Sequence, residues 1–234
     1  MRGLANAFIP GGVNEALSSY LLRAFVRMDV YRWIHKVFNF KVFTLFRPKP
    51  GVTGLLSRIK FTASMILSWL FFYTFLQKES SNMFFSGENF LSHPLISFFL
   101  PQFYHSNSAQ LLFNSVTCFL FVGALEYALG LKVAFLSFFI PSLLSNEVLL
   151  GMIIPIKFIK PELWSAVFVG RDVGGSLGVF GCLGALAFYS SRRMGILLAT
   201  ALCVIGVSIY FSDLQQLNHL IALALGFVFA RMIM

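Results

Sequence analysis

From residue 61 to the C-terminus, apolar runs of roughly membrane-spanning length recur, separated by short polar breaks. A bilayer core takes about 20 apolar helical residues. Six runs come close to that length: Phe61–Leu76, Ala109–Leu129, Val133–Leu144, Gly174–Tyr189, Gly195–Tyr210 and Leu214–Ile233. Apolar side chains make up 58% of the 234 residues and charged ones 12%, more apolar surface than one soluble core would hide. The fold expected is therefore all-α, a six-helix polytopic membrane bundle. Two further apolar stretches are too broken to span. Residues 90–104 contain Pro94 and Pro101 and read as a segment that dips into the interface or packs against protein. Residues 147–169 are cut by Pro155, Lys157, Lys160, Pro161 and Glu162 and read as a long interfacial loop. No internal repeat is evident.

The chain divides at residue 60 into a basic N-terminal segment, 1–60, and a membrane domain, 61–234. Ten Lys and Arg precede residue 61 against only Glu15 and Asp29, which is +8 of the chain's net +9. Residues 14–45 interleave Leu, Phe, Val and Tyr with spaced Arg and Lys, the pattern of amphipathic helices lying on a membrane surface, ended by Pro48, Pro50 and Gly51. The Arg-rich, acid-poor character also resembles a mitochondrial targeting segment, and a cleavable secretory signal is not expected. The bilayer is the expected partner of this charge. Nucleic acid is not, because no binding motif accompanies it. Cys118, Cys182 and Cys203 stand singly in apolar runs and read as buried small hydrophobes, with no disulfide, metal or cofactor implied.

Charge orients the runs. The N-terminal block, Lys132, Arg192, Arg193 and Arg231 fall on one side under strict alternation, so both termini are expected on that positive side. The side is the matrix if the membrane is the mitochondrial inner membrane, the compartment the N-terminus favours. Endoplasmic reticulum or Golgi membrane is the alternative.

The fourth run is rich in small residues. Gly174, Gly178, Gly181 and Ala185 recur at helical spacing and offer a face for close backbone approach, with Ser176 beside that face. His105, Gln110 and Asn114 begin the second run, and His219 lies a turn and a half into the sixth. The topology puts all of these with Ser176 in one leaflet. Singly, each reads as interhelical glue. As a same-depth set they read as a site: a serine deprotonated by a histidine can attack a carbonyl, and amide donors can steady the oxyanion.

That set resembles the rhomboid family of intramembrane serine proteases and their inactive relatives, from the first run to the C-terminus. The residues carrying the resemblance are Gly174-Gly175-Ser176 with the following Val179 to Ala185, His219, the His105-x4-Gln110-x3-Asn114 spacing, and Glu126 with Gly130. The resemblance implies Ser176 as nucleophile, His219 as general base, Phe180 packed on the histidine ring, and Asn114 with Gln110 as oxyanion donors. His105 would line the site. Glu126 would be structural, twelve residues and roughly 18 Å beyond Asn114.

The supporting residues depart from the family. Gln110 replaces a histidine, Leu177 and Ala222 replace glycines, and Ile96 and Ser97 stand where a Trp-Arg pair belongs. Leu177 is expected to overpack the approach of the fourth helix to the sixth, or to force the two apart. Two functions follow. The altered shell favours a pseudoprotease that binds transmembrane segments of other proteins within a membrane-protein handling or mitochondrial protein-import complex, such as a translocase. The retained Ser176 and His219 favour an active intramembrane serine endopeptidase.

Overall fold

The computed structural model describes residues 57–76, 86, 92–162, 164, 174–211 and 216–233. The amphipathic segment expected over 14–45 lies outside them. Helices account for the architecture, and no strand occurs among the described residues. They are α1 (Lys60–Phe75), α2 (Pro94–Phe99, continued by a tight turn Leu100–Gln102), α3 (Ser108–Leu129), α4 (Leu131–Ile153), α5 (Ser176–Tyr189), α6 (Arg193–Phe211) and α7 (Leu217–Met232). A single helical turn, Ile156–Ile159, follows α4. Two stretches, Ser108–Leu129 and Leu131–Ile159, are long and apolar enough to cross a membrane.

The core is built from α1, α3, α4 and α5. Trp69 and Met65 of α1 meet Leu111, Val122 and Leu125 of α3, Phe138 of α4, and Val179 and Cys182 of α5. Phe61 sets its ring edge-on to Phe135 and Phe138, with centroids 5.5 and 5.7 Å away. The centre is α5: every residue from Leu177 to Ala187 except Phe180 is buried, as expected of a helix that is apolar all round. It packs most heavily on α7 and α4. The opposite pattern holds on the outside, where Leu67, Phe71, Phe75, Leu112, Phe113, Leu198 and Leu202 are exposed.

Local sequence explains the joints. Asn107 caps α3 by accepting from the Gln110 N–H at 2.8 Å. Within α3, Cys118–Val122 forms a wide π-type turn, which resets the helix register between Asn114 and Glu126. Both are buried, with different neighbours: Asn114 beside Gly174, Glu126 at the start of α1. Gly130 joins α3 to α4 with φ +90°, a backbone that side chains resist. Glu126 accepts from the Phe61 N–H (2.8 Å), the Thr62 N–H (2.9 Å) and the Thr62 hydroxyl (2.9 Å), so a carboxylate on α3 caps the start of α1.

Two expectations are corrected. The third run does not end near Leu144: α4 continues to Ile153, through the first part of the expected loop. Ser142, Ser145 and Asn146, polar residues around the expected end of the run, are buried. There Asn146 accepts from the Asn218 amide at 2.6 Å. Cys203, expected to be buried like Cys118 and Cys182, is exposed, because α6 leans on the bundle along a narrow strip.

Candidate active site

The site is assembled at the start of α5. Gly174 precedes the helix rather than joining its small-residue face; its φ is +102°, and its N–H donates to the Pro101 carbonyl at 2.7 Å. That bond ties the turn after α2 to the head of α5. A Cβ on Gly174 would stand 2.9 Å from Asn114 Nδ2 and 3.1 Å from Gln110 Nε2, so the missing side chain is what lets both amides approach. Gly175 sits directly on the Trp69 ring, with no room for a Cβ. Trp69 is itself held by donating Nε1–H to the Gln102 carbonyl at 2.8 Å.

Ser176 Oγ lies 2.9 Å from His219 Nε2, and the other ring nitrogen, Nδ1, lies 3.1 Å from the Gln216 carbonyl oxygen. A carbonyl only accepts, so Nδ1 carries the proton in the neutral ring. Nε2 then presents its lone pair to the serine hydroxyl, which donates to it. The tautomer is the one a general base requires, fixed by a backbone carbonyl in the role that a carboxylate plays in a triad. Phe180, four residues along α5, places its ring 4.7 Å from the imidazole, edge to face. Together these contacts hold the histidine on three sides.

The amides come from α3. Asn114 is 2% exposed, and its Nδ2 has no hydrogen-bond partner among the described residues. A buried donor left unpaired costs about 1–3 kcal/mol, so this amide is the one in the site with a hydrogen bond to give. Gln110 has its Oε1 held by the Ser106 N–H (2.8 Å) and hydroxyl (2.9 Å), which turns Nε2 toward Gly174. His105 is fully buried in the loop before α3, edge-on to Trp69 at 5.1 Å, and among the described residues neither ring nitrogen has a partner in good hydrogen-bond geometry. Burial pushes its pKa down to about 4, against a small opposing pull from the Phe103 backbone. His105 therefore lines the site through Trp69 and stays neutral.

The remaining predicted residues are placed as follows. Leu177 is 2% exposed, and its burial does not part the helices, since the serine and histidine are within hydrogen-bond reach. The expected parting of the two helices is thus corrected. Ala222 is fully buried on α7. Glu126 lies at the other end of α3, away from the dyad. Ser97 is buried with its hydroxyl unpartnered, whereas Ile96 is half exposed. Trp69, Gln102, Ser106 and Gln216 were not singled out by sequence reasoning. The signal available for Trp69 was a lone Trp in an otherwise Leu- and Phe-rich run; Gln216 acts through its backbone and leaves no signal. Among the described residues no three metal-ligating side chains gather.

The arrangement defines a helical protein carrying a serine–histidine pair with a spare amide donor. Compared with family models, curated proteins and solved structures, the chain matches none, so geometry carries the functional argument.

Proposed function

We propose that this chain is a polytopic membrane protein of the rhomboid type, a six-span bundle that hydrolyses peptide bonds in transmembrane segments through Ser176 and His219. The carrying observation is the dyad with its tautomer set by Gln216. Ser176 Oγ attacks the carbonyl carbon while its proton passes to His219 Nε2. The collapsing intermediate expels the amine, which takes that proton, and leaves an acyl group on Ser176. Water attacks in turn, again through Nε2, and restores the hydroxyl. Asn114 Nδ2 is the donor for the oxyanion, with Gln110 beside it. The exposed apolar belt over α1, α3 and α6 supports a bilayer setting, since soluble monomers rarely expose contiguous patches of that kind. The charge pattern supports both termini on the positive side, and the basic N-terminus supports the mitochondrial inner membrane.

A second reading is favoured by one specific feature: buried Leu177 and Ala222 stand where the family has glycine, and Gln110 where it has histidine. On that reading the protein is a pseudoprotease that holds transmembrane segments within a membrane-protein handling or import complex. A fluorophosphonate probe on the purified full chain separates the two. Labelling that disappears in Ser176→Ala, together with cleavage of a transmembrane substrate, supports the protease. An unlabelled wild type, with Ser176→Ala restoring growth to a deletion strain, assigns the binding role.

A further inference from the structure

We infer that the open cavity at the end of the bundle remote from the dyad binds the phosphate of an anionic phospholipid. The cavity measures about 430 Å³ and lies where α1 begins and α3 ends. Arg58, Lys60, Glu126, Tyr127 and Leu131 line it. Its one carboxylate is already engaged, since both oxygens of Glu126 accept from the Phe61 and Thr62 donors of α1. Its two cations are not so engaged. The Arg58 guanidinium lies over the Tyr127 ring, 5.3 Å from the centroid, which occupies its face and leaves its N–H edge for an in-plane acceptor. Lys60 is exposed, and neither cation is paired with a carboxylate among the described residues. The cavity thus carries net positive charge and fork-shaped donors suited to a phosphate diester.

An apolar track leads away from it. Leu131 and Phe135, one turn apart on α4, are 52% and 44% exposed, so a molecule with a phosphate in the cavity could lay a hydrocarbon chain along them. That combination fits an amphiphile better than a free anion. The sequence asymmetry puts this end on the cation-rich side of the membrane, where basic pockets between helices meet anionic headgroups. The inference rests on the membrane-spanning reading but not on the dyad.

The test uses the full chain in detergent, with lipid retention read by native mass spectrometry and by thermal stabilisation. Phosphatidylglycerol is compared with phosphatidylcholine. The wild type is expected to retain the anionic lipid preferentially, and Arg58→Gln/Lys60→Gln to lose about ten- to thirty-fold in affinity. Arg192→Gln/Arg193→Gln, which removes equal charge outside the cavity, is expected to keep the preference. Equal retention of the two lipids by the wild type overturns the inference without any variant. So does a cavity variant that binds like the wild type, or equal competition by soluble glycerol phosphate, which would assign a free anion instead. Alkaline extraction of native membranes distinguishes the underlying failure. A chain washed off removes the membrane reading itself, whereas an integral chain without headgroup preference removes the lipid pocket alone.

Discussion

The backbone of Gly184 lies against the Leu223 carbonyl oxygen, with no space between them for a methyl group. Three residues earlier on α5, the Gly181 carbonyl meets Gly226 of α7 in the same way. These contacts set the separation of the helices that carry Ser176 and His219. Because the obstructing atoms are backbone, they cannot swing aside. Gly184→Ala should therefore destabilise the protein by about 1–3 kcal/mol. It should also lengthen the serine–histidine contact, and a shift of about 1 Å in such a site lowers rates by about 100-fold. Thermal unfolding in detergent reads the first effect and probe labelling per folded molecule reads the second. Unchanged labelling would show that the dyad does not depend on this helix contact.

Asn114 Nδ2 is buried and unpartnered beside Gly174. If it serves the oxyanion, Asn114→Ala should lower the probe reaction or peptide cleavage by about 100- to 1000-fold. Stability should hold or rise slightly, because an unsatisfied donor has been removed. A merely structural Asn would give the reverse: lost stability and normal labelling. Gly174→Ala tests the same geometry from the other side. Its added Cβ would crowd both amides and strain a backbone at φ +102°.

The helical class and the closeness of Ser176, Phe180 and His219 were legible, because apolar runs and side-chain chemistry at helical spacing are written in the residue types. What escaped depends on contacts between segments. The end of α4 was misplaced near Leu144, because residue types there do not say whether a helix has ended or continues with a polar residue turned inward, as Asn146 is to meet Asn218. The separation of α5 and α7 beside Leu177 was misjudged because sequence gives a side chain's bulk but not the space that receives it. The Gln216 carbonyl and the π-type turn in α3 are backbone features, and no residue type announces them.

His105 supplies a pH test. It lies in the loop before α3, and burial holds its folded-state pKa near 4 against an ordinary 6.5. The unfolded chain therefore binds the proton more readily between these values. Its share of stability is fully present above about pH 6.5, falls as pH drops toward 4, and is lost below that, by about 3 kcal/mol in all. His105→Leu should flatten the dependence of the unfolding temperature on pH across that window. Among the described residues its ring nitrogens have only the weak pull of the Phe103 backbone to lose, so the variant should remain folded at neutral pH. A wild-type slope that survives the substitution would assign the dependence to another group.

Glu126 offers the complementary case, a residue that stabilises the fold without touching the chemistry. Its two oxygens satisfy two N–H groups at the start of α1 and the Thr62 hydroxyl, donors that would otherwise be buried without partners. Glu126→Gln keeps one accepting oxygen but puts an NH₂ against the remaining donors, replacing attraction with a donor–donor conflict. The expected loss is about 1–3 kcal/mol. Thr62→Ala removes only the hydroxyl bond and should cost about 1 kcal/mol. Because Glu126 sits roughly 18 Å along α3 from Asn114, labelling per folded molecule should be unchanged in both variants. A Glu126→Gln protein that is normally stable yet unlabelled would mean that the carboxylate reaches the dyad through α1 and Trp69, and that the two ends of the bundle are not independent.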